Sequence, residues 1–188
     1  MKRIVILALS TVFTIPVFAA PETYIVDSSH TFPNFSYTHF GFSTQQSKFD
    51  KTTGKITIDR VAKTGSLDVS IDTKSVNTGL EVFNGHLRGE DHINVDKFPT
   101  INFKSNSFKF DGDKLTAIDG ELTIKGITKP LTLAVTSFNC GTHPFAKKPA
   151  CGANASAKIN RSEFNAGKYV PAVSDDVTLA IVVEAIKE

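Results

Sequence analysis

The sequence predicts an all-β domain of about eight antiparallel strands, closed as a barrel or a sandwich. Three observations carry this. Apolar residues recur with period two along most of the chain after Pro21, turn signals interrupt them at short intervals, and a single segment has helical spacing instead. Period two is what a strand with one buried face requires, because successive side chains leave opposite faces.

In chain order, Phe35, Tyr37 and His39 alternate with Ser36 and Thr38, and Ile56 and Ile58 with Lys55, Thr57 and Asp59. Leu67, Val69 and Ile71 alternate with Asp68, Ser70 and Asp72, the clearest strand of the chain. Ile101 and Phe103 follow, then Leu122 and Ile124, then Leu131, Leu133 and Val135, each set separated by polar residues. The last strand, Val177 to Ala185, is apolar on nearly both faces, which predicts a central position. Turns are expected at Thr53-Gly54, Thr64-Gly65, Asp111-Gly112-Asp113, Asp119-Gly120 and Lys125-Gly126. Eight such strands suit a small up-and-down barrel.

The exception runs from Thr78 to Asp96, where Leu80, Phe83 and Leu87 have helical spacing. Gly85 and Gly89 predict a short, interrupted helical segment near residues 79–96 that crosses one side or end of the sheet.

The N-terminus reads Met1-Lys2-Arg3, an apolar run from Ile4 to Phe18, then Ala19-Ala20-Pro21. A basic start, a short hydrophobic run and small residues define a secretory signal peptide, residues 1–19, cleaved after Ala19 because Val17 and Ala19 suit the −3 and −1 positions. The run is shorter than the ~20 residues a membrane span needs, and it contains Pro16. Residues 20–188 then form one domain in the periplasm, with no span in the mature form. Removing Lys2 and Arg3 leaves 19 basic against 19 acidic residues, scattered rather than striped, so no nucleic-acid footprint is expected.

Export makes a disulfide the expected state of the two cysteines, Cys140 and Cys151. A zinc site with His143 would lack a fourth ligand. The remaining inventory is short. The sequence has no G-x-S-x-G elbow, phosphate loop, H-E-x-x-H or C-x-x-C, so neither catalytic residues nor a cofactor or metal is expected. His86, Asp91 and His92 could meet across the interrupted helix as a metal-dependent hydrolase site, although loop histidines are commonly solvent-exposed. Arg161 is placed to pair with Asp175 or Asp176. What stands out is apolar surface, since 13 of the 15 Phe follow residue 19. An eight-stranded barrel is either just filled by such side chains or holds one small ligand, and periodicity does not separate the two.

The order of several short motifs narrows the choice. They are Tyr24-x-x-Asp27-x-x-His30-Thr31, Phe35, His39-x-Gly41, Phe49, Ser75-Val76-x-Thr78 and His92 followed by Phe98-Pro99. Phe103-x-Ser105, the run Leu122 to Leu133 (LTIKGITKPLTL), Ile159-x-Arg161-Ser162-Glu163-Phe164 and Ser174-Asp175-x-Val177 complete the set. Together they span nearly the whole mature chain, which resembles the YceI family of exported, lipocalin-like proteins associated with polyisoprenoid or other long-chain lipids. The family pattern of Arg-Asp near the start of the helical segment is replaced by Val82-Phe83-Asn84, and the loop between the cysteines looks like a local elaboration. Both differences are expected at the barrel mouth, where they bear on ligand identity more than on fold.

The resemblance implies an eight-stranded antiparallel, helix-capped barrel with an apolar channel for a lipid tail. On that reading the channel is lined by Phe35, Tyr37, His39, Leu67, Val69, Ile71, Phe103, Leu122, Ile124, Leu133 and Ile181, and the ligand is an isoprenoid-like lipid such as a polyprenyl or quinone species. Burying ~20 tail carbons at about 0.8 kcal/mol per CH₂ gives about 16 kcal/mol. Association costs roughly 4–15 kcal/mol, so tail burial alone suffices for useful affinity. A homodimer is compatible with this reading; the alternative to it is a ligand-free interaction module with a filled barrel.

Overall fold

The computed structural model describes residues 20–188, so the expected signal peptide lies outside the described residues. Eleven strands and one helix follow in order: β1 (Glu22–Val26), β2 (Phe32–His39), β3 (Ser43–Phe49), β4 (Thr52–Asp59), β5 (Thr64–Asp72), β6 (Val76–Asn77), α1 (Glu81–Arg88), β7 (Thr100–Asp111), β8 (Lys114–Ile124), β9 (Ile127–Thr142), β10 (Pro149–Asn160) and β11 (Asp176–Lys187). All pairings are antiparallel, and β1 closes the sheet by bonding β4 on one side and β11 on the other.

The eleven strands occupy eight positions around the barrel, as the alternation predicts. β1 and β2 follow one another along β11, through Val26↔Ala185 and then Phe32↔Val182. β3 and β4 share the next position, and β5 and β6 the one after, because β2 pairs with β3 and β3 with β6. An Asp stands at each break. Asp27 Oδ1 accepts from the Ser29 N–H at 2.9 Å, Asp72 Oδ1 from the Lys74 N–H at 3.0 Å, and Asp50 Oδ2 from Asn77 Nδ2 at 2.7 Å. At Asp27 and Asp72 the short acidic side chain offers the backbone a local alternative to the ladder, which interrupts a strand without ending the sheet; Asp50 instead ties the break to the Asn77 side chain of β6.

Three of the expected turns are not turns. Gly54 lies within β4, Thr64-Gly65 opens β5, and Gly120 lies within β8. At each glycine a Cβ would press on a neighbour: it would stand 2.9 Å from Val69 Cα at Gly54, against the Phe108 ring at Gly65, and 2.7 Å from the Phe103 ring at Gly120. These glycines permit close approach inside a sheet, the other meaning of glycine in a strand. β11 is flanked by β10, β1 and β2, as a central strand is, but its outer face (Thr178, Ala180, Val182 and Glu184) is exposed, so its apolar residues on both faces do not reflect burial on both sides. β-bulges in the β7–β8 pair and the β9–β10 pair add the bend that closure requires.

The helix is shorter than the expected segment. It ends at Gly89, after which residues 89–97 form turns. Asn84, buried in the first turns, accepts from the Thr78 N–H at 2.7 Å and from Thr78 Oγ1 at 2.8 Å, which fixes the entry of the helix. Since α1 follows the ends of β5 and β6 and precedes the start of β7, it caps that end of the barrel, called the upper end below.

Candidate functional site

The barrel is hollow. Its interior is a cavity of about 500 Å³ with a wall made almost wholly of carbon, within the ~300–1,000 Å³ range of small-molecule sites. A barrel packed solid with Phe is therefore not what this sequence forms.

All eleven residues expected to line a channel line this cavity. The alternation explains why. On β5, Leu67, Val69 and Ile71 point inward while Asp68 points out and pairs with Lys104 at 2.8 Å. On β2, Phe35 and Tyr37 face in, with Phe35 against Phe49 at 5.4 Å between ring centroids. On β11, Leu179 and Ile181 line the cavity, whereas Val182 is exposed on the outer face. His39 stands at the upper rim, where its residue bridges Val173 and its ring lies 4.1 Å from that of Phe40.

The sequence reading missed the residues that the breaks and loops bring in. Phe49, Phe83, Leu87, Tyr169 and Val173 also line the cavity, and Phe108 and Leu115 line its lower part. Phe83 and Leu87 carried a signal, their helical spacing. Tyr169 lies in an irregular segment with no periodicity to reveal it.

The disulfide forms as expected, with Cys140 and Cys151 directly opposed across the β9–β10 hairpin and their Cα atoms 4.1 Å apart. Its position corrects one expectation. The cysteine-bounded loop lies at the lower end, opposite α1, and not at the helix-capped mouth; Cys151 lines the cavity from below.

The upper end holds the polar groups. Ring centroids of Phe83 and His86 are 6.4 Å apart, of His86 and His92 6.0 Å, and of His92 and Tyr169 6.1 Å, which makes an arc of rings over the opening. Burial, with His86 and Arg161 nearby, pushes His92 below its usual pKa, so its imidazole is neutral at pH 7. Asp91 does not join the two histidines as a ligand set. Its carboxylate instead holds Lys168 Nζ, which draws the Asp91 pKa down and the Lys168 pKa up.

Arg161 does not form the expected carboxylate pair either. Its guanidinium donates to four backbone carbonyls, with Nε to Ser174 at 2.8 Å, Nη2 to Val173 at 2.9 Å, and Nη1 to Lys168 at 2.9 Å and to Ala166. Asp175 instead accepts from the Ser162 N–H at 2.7 Å and from Ser162 Oγ at 2.6 Å. Arg161 thus ties the segment 166–174, including Tyr169, to the rim. Its own burial lowers its pKa from a very high value, so the charge persists.

Known proteins share this architecture. A family model described as the YceI-like domain matches residues 24–185. The chain is 36% identical over 173 residues to Protein YceI of Shigella flexneri, covering 90% of each. Among solved structures, the YCEI protein of Campylobacter jejuni superposes with a TM-score of 0.68 at 28% identity, over 80% of this chain and 90% of that one. A polyisoprenoid binding domain from Saccharophagus degradans shares the fold, with a TM-score of 0.65 at 17% identity over 88% of this chain and 98% of that one.

Proposed function

The chain belongs to the YceI-like domain family, and on that premise we propose that it is a periplasmic binding protein, a carrier or reservoir, for a long-chain isoprenoid-like lipid such as a polyprenyl or quinone species. One observation carries the reading. A carbon-walled cavity runs from the arc of rings under α1 to the disulfide end, bounded by inward faces of all eight barrel positions. Each CH₂ moved from water to such a wall contributes about 0.8 kcal/mol, so binding needs no catalytic group and few polar contacts. The polyisoprenoid-binding name of the Saccharophagus degradans domain supports the same ligand class.

Export belongs to the proposal. Residues 1–19 direct the chain across the membrane and are cleaved after Ala19, and the folded domain is residues 20–188. Among the described residues no helix is long and apolar enough to cross a membrane. The mature protein then carries its lipid through water between bilayers.

A transfer assay tests the carrier role. Donor vesicles hold a radiolabelled polyprenol or long-tailed quinone, and acceptor vesicles hold none. The purified domain should raise the transfer rate in proportion to its concentration and hold lipid at no more than one per chain. Transfer no faster than in buffer, with no lipid recovered on the protein, contradicts the reading.

A further inference from the structure

Exposed apolar side chains gather at one end of the barrel. Among the described residues ten large ones are exposed, and six of these, Phe40, Phe42, Leu80, Val82, Tyr169 and Val170, stand at the upper end. They come from the turn between β2 and β3, the entry of α1 and the segment 166–174, which adjoin one another. The Phe40 N–H donates to the Ala172 carbonyl at 2.8 Å, His39 bridges Val173, and the arc of rings joins α1 to Tyr169. A lone exposed apolar residue is ordinary, whereas a group of them around one opening marks an interaction surface.

The group continues the cavity. Phe40 and Tyr169 are each 52% exposed yet also line the cavity, so the carbon wall passes through the mouth onto the outer surface. Phe42 at 88% and Val82 at 83% exposure stand outside that wall. Around them charges are compensated. Glu81 pairs with Arg88 at 2.7 Å, Asp96 with Lys74 at 3.6 Å, and Asp91 with Lys168. Such a rim suits an apolar partner and gives a strongly charged one little to pair with.

The cargo decides between apolar partners. A long tail that leaves through this mouth meets water unless another carbon phase covers the rim, and every CH₂ so exposed is unfavourable. A second copy of the chain, or another protein, seated on the rim would close the route. A bilayer would extend it. We propose that the upper rim docks on the surface of a lipid bilayer, with Phe42 and Val82 inserted into it, so that lipid passes directly between bilayer and cavity. The inference rests on the lipid-binding reading above and adds where, and against what surface, the cargo is exchanged.

The sequence has no Trp, so one substitution supplies a unique reporter. In the protein of residues 20–188, the fluorescence of Phe42→Trp should be quenched by phosphatidylcholine vesicles with brominated acyl chains. That of Phe145→Trp, at the lower end, should not. Phe42→Asp with Val82→Asp should weaken co-sedimentation with phosphatidylcholine vesicles at least ~10-fold, as the loss of two inserted apolar side chains requires. Added salt should not release the parent from the vesicles. Displacement of a fluorescent apolar probe by a polyprenol in solution should be unchanged in the double variant, since neither residue lines the cavity. No vesicle binding by the parent, release by salt, quenching at position 145 instead of 42, or full vesicle binding by the folded double variant overturns the docking and leaves lipid binding in solution intact. A parent that light scattering shows to be a dimer, made monomeric by the two substitutions with vesicle binding unaltered, assigns the rim to a second copy and overturns it too. Failure of the polyprenol to displace the probe from the parent overturns the lipid-binding reading, and this inference with it.

Discussion

The ring of Phe103 lies over Gly120 on the neighbouring strand, so that a Cβ at position 120 would stand 2.7 Å from Phe103 Cζ. Phe103 is buried and lines the cavity, and Gly120 also sits against the Lys104 backbone. Gly120→Ala should push Phe103 inward and strain the β7–β8 pair, with a loss of about 1–3 kcal/mol, the usual cost of overpacking. Urea denaturation followed by circular dichroism measures it. A variant as stable as the parent would show that the ring moves aside freely.

Filling the cavity should separate binding from stability. Val69 is half-buried in the middle of β5 and points into the hollow. Val69→Phe adds a ring where space exists, so stability should change by less than about 1.5 kcal/mol, while binding of a long-chain lipid falls by an order of magnitude or more. Thermal melts and probe displacement on the same sample check both halves. Unchanged affinity would place the lipid elsewhere.

The disulfide closes a short hairpin, with eleven residues of sequence separation between Cys140 and Cys151. In the chain-entropy picture, its loss through Cys140→Ser with Cys151→Ser should cost about 2–3 kcal/mol. The barrel should survive, because β9 and β10 remain paired along Ser156↔Ala134 and their neighbours. Urea midpoints with and without reductant give the number for the parent, and the double variant should be insensitive to reductant.

Stability should depend on pH through the first strand break. Asp27 is held down to a pKa of about 2, first by the Ser29 hydroxyl and then by His30, whose ring lies 2.8 Å from the carboxylate. His30 is raised above its usual value by Asp27, with a smaller push from Glu184. A depressed carboxylate stabilises above its unfolded pKa and loses that contribution as pH falls through about 2. A raised imidazole stabilises below its unfolded pKa, near 6.5, and loses that contribution as pH rises through the folded value. His30→Ala should therefore melt below the parent at pH 5.5, and the gap should narrow by pH 9. A gap that widens with pH would reverse the assignment.

Much of this was legible in the sequence, for a physical reason. Leu67-x-Val69-x-Ile71 and its counterparts reveal inward faces because period two converts directly into geometry once a sheet closes. The kinks at 27–31, 50–51 and 73–75 are less visible, because those at Asp27 and Asp72 are local competitions between an Asp side chain and the ladder, and that at 50–51 turns on backbone bonds to the distant Ser75, rather than on a break in hydropathy. Gly54, Gly65 and Gly120 mislead for a related reason, since glycine marks close approach as readily as a turn. The mouth was the least legible part. Arg161 was correctly placed beside Asp175 in space, but four carbonyls outcompeted the carboxylate, and their convergence depends on the path of the segment 166–174.

The most direct test of the central claim is mass spectrometry of an organic extract of the mature protein, purified without detergent after export. The account predicts one consistent long-chain isoprenoid lipid, polyprenyl or quinone in character, at up to one per chain, lost from Val69→Phe. Protein that is repeatedly lipid-free, and that takes up no added polyprenol or quinone, would contradict it.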